Sequence, residues 1–112
     1  RKIMSNPELC VNCTCVRVPV IRSHSESIMV EFEKEISVEK ARELLQGAPG
    51  VKLVDEPQKQ VYPMPLDTTD QDLVFVGRIR EDMSGHANAL SFWCCGVQIA
   101  ELVIQEKEKQ QE

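Results

Sequence analysis

In the stretch CVRVPVIRSHSES, Arg17 interrupts an apolar run, Arg22 follows three residues after Pro19, and His24 sits between two serines with Glu26 just beyond. A strand that only had to pack would gain nothing from Arg17 or His24. A guanidinium offers a planar, two-pronged donor that suits a carboxylate. An imidazole exchanges protons near neutral pH. Arg22 is less telling, because a solvated ion pair with Glu26 would account for it. The five cysteines are Cys10, Cys13, Cys15, Cys94 and Cys95. An odd number, with two adjacent in sequence, predicts free thiols in a reducing cytoplasm. The spacing C-x-x-C-x-C lacks the second knuckle of a zinc site, so no metal is expected. His86, in Ser-Gly-His-Ala, reads as a loop residue.

These groups need a scaffold. The spacing predicts a strand over residues 9–21, with Val16, Val18 and Val20 on one face and Cys13, Cys15 and Arg17 on the other. Pro19 places it at an edge or beside a bulge. Ile28, Val30 and Phe32 alternate with Met29, Glu31 and Glu33, which predicts a second, half-buried strand. Ser37 is placed to cap a helix over residues 38–48 in which Val38, Ala41, Leu44, Leu45 and Ala48 recur at helical spacing, and Pro49-Gly50 stops it. A short strand is expected over 51–54, and 57–72 reads as a long irregular connection. Leu73, Phe75, Gly77 and Ile79 alternate with Val74, Val76, Arg78 and Arg80, putting the two arginines on one side of a strand. Residues 89–96 predict another strand. A helix over 97–104 and a polar tail over 105–112 complete the order.

That order predicts a single α+β domain over residues 1–112, a mostly antiparallel or mixed sheet with helices on one face. The chain's 112 residues suffice for one core, and its 42% hydrophobic and 28% charged content is ordinary for a globular protein. A formal charge of −5 with no basic stripe excludes a nucleic-acid binder. Apolar runs of only a few residues exclude a membrane span. The opening Arg-Lys-Ile-Met reads like the end of a helix, so more polypeptide is expected before it.

At R-V-P-V-x-R-x-H-S-E, and again at VFVGRIRED and VQIAELVI, the sequence closely resembles the substrate-binding and dimerisation domain of aspartate-semialdehyde dehydrogenase. The resemblance runs from about Pro7 to Ile104. It implies a C-terminal domain like that of glyceraldehyde-3-phosphate dehydrogenase. In such enzymes a thiolate attacks the aldehyde carbon, hydride passes to NADP, and phosphate cleaves the thioester; biosynthesis runs the reverse. The family motif makes Arg17 the clamp for the substrate carboxylate and His24 the acid/base. It also implies a cytoplasmic homodimer paired through the sheet, acting on aspartate semialdehyde and phosphate.

Two departures qualify this. The glycine-rich nucleotide-binding turn is absent, and so is the family segment that carries an Asn-Cys nucleophile at the start of a helix, so no cofactor is expected to bind this chain alone and the chain alone is expected to be inactive. Cys13 and Cys15 share the face of Arg17 but lack the helix N-terminus that lowers a thiol's pKa. About eleven residues that the family carries between Gly96 and Val97 are also missing, which puts the phosphate subsite in doubt. The alternative is a non-catalytic oligomerisation or binding module derived from the same family.

Overall fold

A computed structural model describes residues 2, 5–8, 10, 18–84 and 87–97. Four strands form one mixed sheet in the order β1 (His24–Glu31), β4 (Ala89–Gly96), β3 (Val74–Glu81), β2 (Val51–Leu53). β1 and β3 both run antiparallel to β4, whereas β2 runs parallel to β3. Because β1 and β2 lie at opposite edges, the connection between them must cross the sheet, and the helix α1 (Val38–Gln46) forms on that crossing. Lys40 N donates to the Ser37 hydroxyl at 3.1 Å, closing the predicted cap, a contact that contributes about 1 kcal/mol.

The core lies between α1 and one face of the sheet. Ala41 packs with Ile79 and Leu90, and a neighbouring cluster joins Val74, Val76 and Cys94, with Leu45 of α1 against it. These strand residues share a face only because β3 is irregular. Its register to β4 runs Gly77 opposite Trp93 and then Arg80 opposite Ser91, so β3 carries one extra residue. Arg78 sits in that bulge with φ 55°. The bulge overturns the expected alternation: Ile79 joins Val74 and Val76 inside, and Arg78 and Arg80 do not form one row.

A buried carboxylate holds the bulge. Arg78 N donates to Asp55 Oδ1 at 2.9 Å and Ile79 N to Oδ2 at 3.3 Å, while Arg42 Nε from α1 reaches Oδ2 at 2.9 Å. Asp55 has a side-chain exposure of 0% and is fully partnered. On the other face, Gly77 lies so close to Val54 O and Pro63 that a Cβ would stand 2.1 Å from the carbonyl oxygen.

Other expectations shift at their boundaries. β1 begins at His24, four residues before the predicted alternation. The strand predicted over 9–21 falls largely outside the described residues, and residues 18–21 are not strand. Pro19 lacks an N–H, and Val20 N turns back to Val18 O at 2.8 Å, so the backbone there folds on itself instead of pairing. The long connection holds a 3-10 turn at Pro57–Lys59 and a one-turn helix, α2 (Pro65–Thr68), each opened by a proline whose fixed φ suits a first helical position. The helix predicted over 97–104 and the tail over 105–112 lie outside the described residues except for Val97.

Candidate functional site

His24 is exposed at the start of β1. The register pairs His24 with Gly96, Ser25 with Cys95 and Glu26 with Cys94. Successive strand residues face opposite ways, so His24 and Glu26 share the side of Cys94, and Ser25 faces the other. Each serine flanking the histidine is tied down. Ser25 Oγ lies 3.2 Å from Cys95 Sγ, which also accepts from Trp93 Nε1 at 3.0 Å and is wholly buried. Ser23 Oγ lies 2.6 Å from Thr68 Oγ1 in α2. The Ser-His-Ser order thus places two anchored side chains around one free to meet solvent.

Arg22 pairs with Asp70 and not with the Glu26 expected from sequence. Both partners are exposed, so the pair adds little stability but fixes residue 22 to the end of α2. A cleft of about 500 Å3 opens here, lined by Val20, Ile21, Arg22, Leu66 and Asp70 among others. A larger cavity, about 810 Å3, lies beside β2 at the opposite edge and includes none of these groups. Its size does not make it the site, since His24, the acid/base expected from the sequence motif, is not among its lining residues. Arg17, Cys13, Cys15 and His86 lie outside the described residues.

Among the described cysteines, Cys10 is exposed while Cys94 and Cys95 are buried. Burial, then the nearby Glu26 carboxylate, then Cys95, push the Cys94 thiol up to about 11, against an opposing backbone hydrogen bond at Glu26. Cys94 therefore stays protonated near neutral pH and is no nucleophile. The sequence reading did not anticipate Ser23, Ser25, Thr68 or Cys95 as supports. The signal lay in the small hydroxyl residues on either side of His24.

Comparison with known proteins agrees with this architecture. The family described as "Semialdehyde dehydrogenase, dimerisation domain" matches residues 1–110. The aspartate-semialdehyde dehydrogenase of Synechocystis is 47% identical, with the match covering 94% of this chain and 34% of that protein. The Aquifex aeolicus enzyme of the same name is 49% identical over 95% of this chain and 34% of its own length. Among solved structures, aspartate semialdehyde dehydrogenase II from Vibrio cholerae superimposes with a TM-score of 0.71 at 34% identity, covering 93% of this chain and 33% of that one. The structure of that Vibrio protein complexed with ASA gives a TM-score of 0.67 at 33% identity, covering 82% of this chain and 30% of that one.

Fold and likeness define a C-terminal domain of the kind that pairs dehydrogenase subunits. More particularly, the chain belongs to the semialdehyde dehydrogenase dimerisation-domain family. It spans about a third of the length of the curated relatives it matches. The Synechocystis alignment has 116 positions, whereas 94% of 112 residues is about 105, so 116 − 105 leaves about 11 positions of that relative without a counterpart here. That difference equals in size the segment expected between Gly96 and Val97.

Proposed function

We infer that the chain is the substrate-binding and dimerisation part of a cytoplasmic, NADP-dependent aspartate-semialdehyde dehydrogenase. Arg17 holds the substrate carboxylate in a bidentate grip, and His24 moves the proton. In the direction of thioester formation, the imidazole takes the proton of an attacking thiol and returns it to the oxyanion that forms on the aldehyde oxygen. The buried Cys94 and Cys95 are unsuited to attack, and on the family pattern the thiol comes from outside this stretch. Among the described residues no glycine-rich strand-to-helix turn is present to receive a pyrophosphate, so no residue described here fits the nicotinamide cofactor. The chain alone is inactive.

The single observation supporting this reading is the exposed His24, held between two anchored serines at the place where the motif of the matched family puts its acid/base. The missing eleven positions favour a second reading, a non-catalytic pairing module. Both are tested by fusing the first two thirds of the Synechocystis relative to this chain and measuring steady-state kinetics. Under the enzymatic reading the fusion turns over aspartate semialdehyde, Arg17→Lys mainly raises KM, and His24→Ala mainly lowers kcat. A folded, dimeric fusion without activity would favour the module.

A further inference from the structure

Ser23 has φ 80°, a left-handed backbone that a serine adopts only when its surroundings hold it there. It precedes His24, the first residue of β1, so this backbone governs how the chain enters the strand at the histidine. Thr68, 45 positions later, is completely buried and lies 2.6 Å from the Ser23 hydroxyl. The protons can be counted. Thr68 Oγ1 donates to Pro65 O at 3.1 Å, which uses its one hydrogen. In that arrangement it accepts from Ser23, whose other contact, His24 O at 3.4 Å, is long. Running from Ser23 Oγ–H to Thr68 Oγ1–H to Pro65 O, the chain uses the two shorter contacts and links residue 23 to the buried threonine. Next to it, the Arg22–Asp70 pair ties the preceding residue to the same short segment.

We propose that Thr68 is a positioning residue for His24, acting through the Ser23 hydroxyl that holds residue 23 in its left-handed conformation and so aims the imidazole. The inference rests on the catalytic reading of His24 for its use, but not for its test. With Ser23 released, the peptide before His24 can relax to an extended backbone, and the side chain of residue 24 swings with it. Ser25, fixed on Cys95, keeps β1 in register. The expected effect is confined to the histidine.

The test is nuclear magnetic resonance on the whole chain. In the parent, the two Hα–Hβ couplings of His24 should differ, as for one staggered rotamer. In Thr68→Val, which keeps the shape and removes the hydroxyl, they should converge and the ring resonances should shift, while amide resonances of α1 and β2 stay in place. Thr68→Ser should restore the parental couplings. Ser23→Gly tolerates φ 80° but lacks the hydroxyl, and it replaces Thr68→Val if that variant fails to fold. Unchanged His24 couplings in either folded variant would overturn the proposal. In the fused enzyme, Thr68→Val should lower kcat roughly tenfold with KM little changed, and Thr68→Ser should recover it. Loosened His24 couplings with unchanged kcat would leave the positioning intact and count against the catalytic reading of His24.

Discussion

Replacing Asp55 by asparagine keeps the shape of a buried side chain and removes its charge. Oδ1 accepts from Arg78 N at 2.9 Å, while Oδ2 accepts from Ile79 N at 3.3 Å and Arg42 Nε at 2.9 Å. An amide has one oxygen, so in either orientation its NH2 group must face at least one of these donors. The smaller loss leaves Arg78 N opposed by another donor. A hydrogen bond to a charged acceptor contributes about 1.5–3 kcal/mol. The lost attraction to Arg42, whose side chain is 31% exposed, adds less than about 1 kcal/mol after solvent screening. The sum is about 2–4 kcal/mol. With a urea dependence of about 2 kcal/mol per molar for a small domain, the unfolding midpoint should fall by about 1–2 M. Arg42→Gln should cost clearly less, because the carboxylate keeps both backbone donors. A midpoint for Asp55→Asn within about 0.3 M of the parent, or a larger loss for Arg42→Gln, would refute the assignment of Asp55 as the support of the bulge.

Gly77→Ala drives a Cβ to 2.1 Å from Val54 O and 2.6 Å from Pro63 Cδ, and the carbonyl cannot retreat without breaking the β2–β3 ladder; a loss of about 3 kcal/mol, read as a Tm lower by more than about 10 °C, is expected. Cys94, raised from 9.0 to about 11 by burial, Glu26 and Cys95, binds its proton more tightly when folded, so its contribution is intact below about 9 and lost as pH climbs towards 11. Cys94→Val should flatten that alkaline part of the stability profile, and at pH 8 iodoacetamide should label exposed Cys10 while sparing Cys94, as read by mass spectrometry. Light scattering should give twice the monomer mass of 12.7 kDa, because β1 stands at the edge of the sheet that the described residues form and carries Met29 at 47% exposure.

The elements whose signals are local were legible in the sequence. Ser37, the apolar spacing of α1 and the alternation of β4 each act within a few residues, and each element formed where expected. β3 was harder, since its alternation holds only as far as Gly77. The extra residue at Arg78 is stabilised by Asp55, 23 positions earlier, and no local pattern announces that. Likewise, Pro57 and Pro65 read as breaks in the chain but serve as starts of short helical turns. At the site, His24 stood out because an imidazole in a strand is unusual. Its supports did not, because serine and threonine are common and only the fold brings Thr68 to Ser23.

The central claim is that the imidazole of His24 carries the proton in aldehyde chemistry. Chemical rescue tests it most directly. In the fusion of this chain with the first two thirds of the Synechocystis relative, His24→Gly should abolish most turnover, and added imidazole should restore it in proportion to concentration while leaving the parent enzyme unaffected. Parental turnover in His24→Gly without imidazole would contradict it.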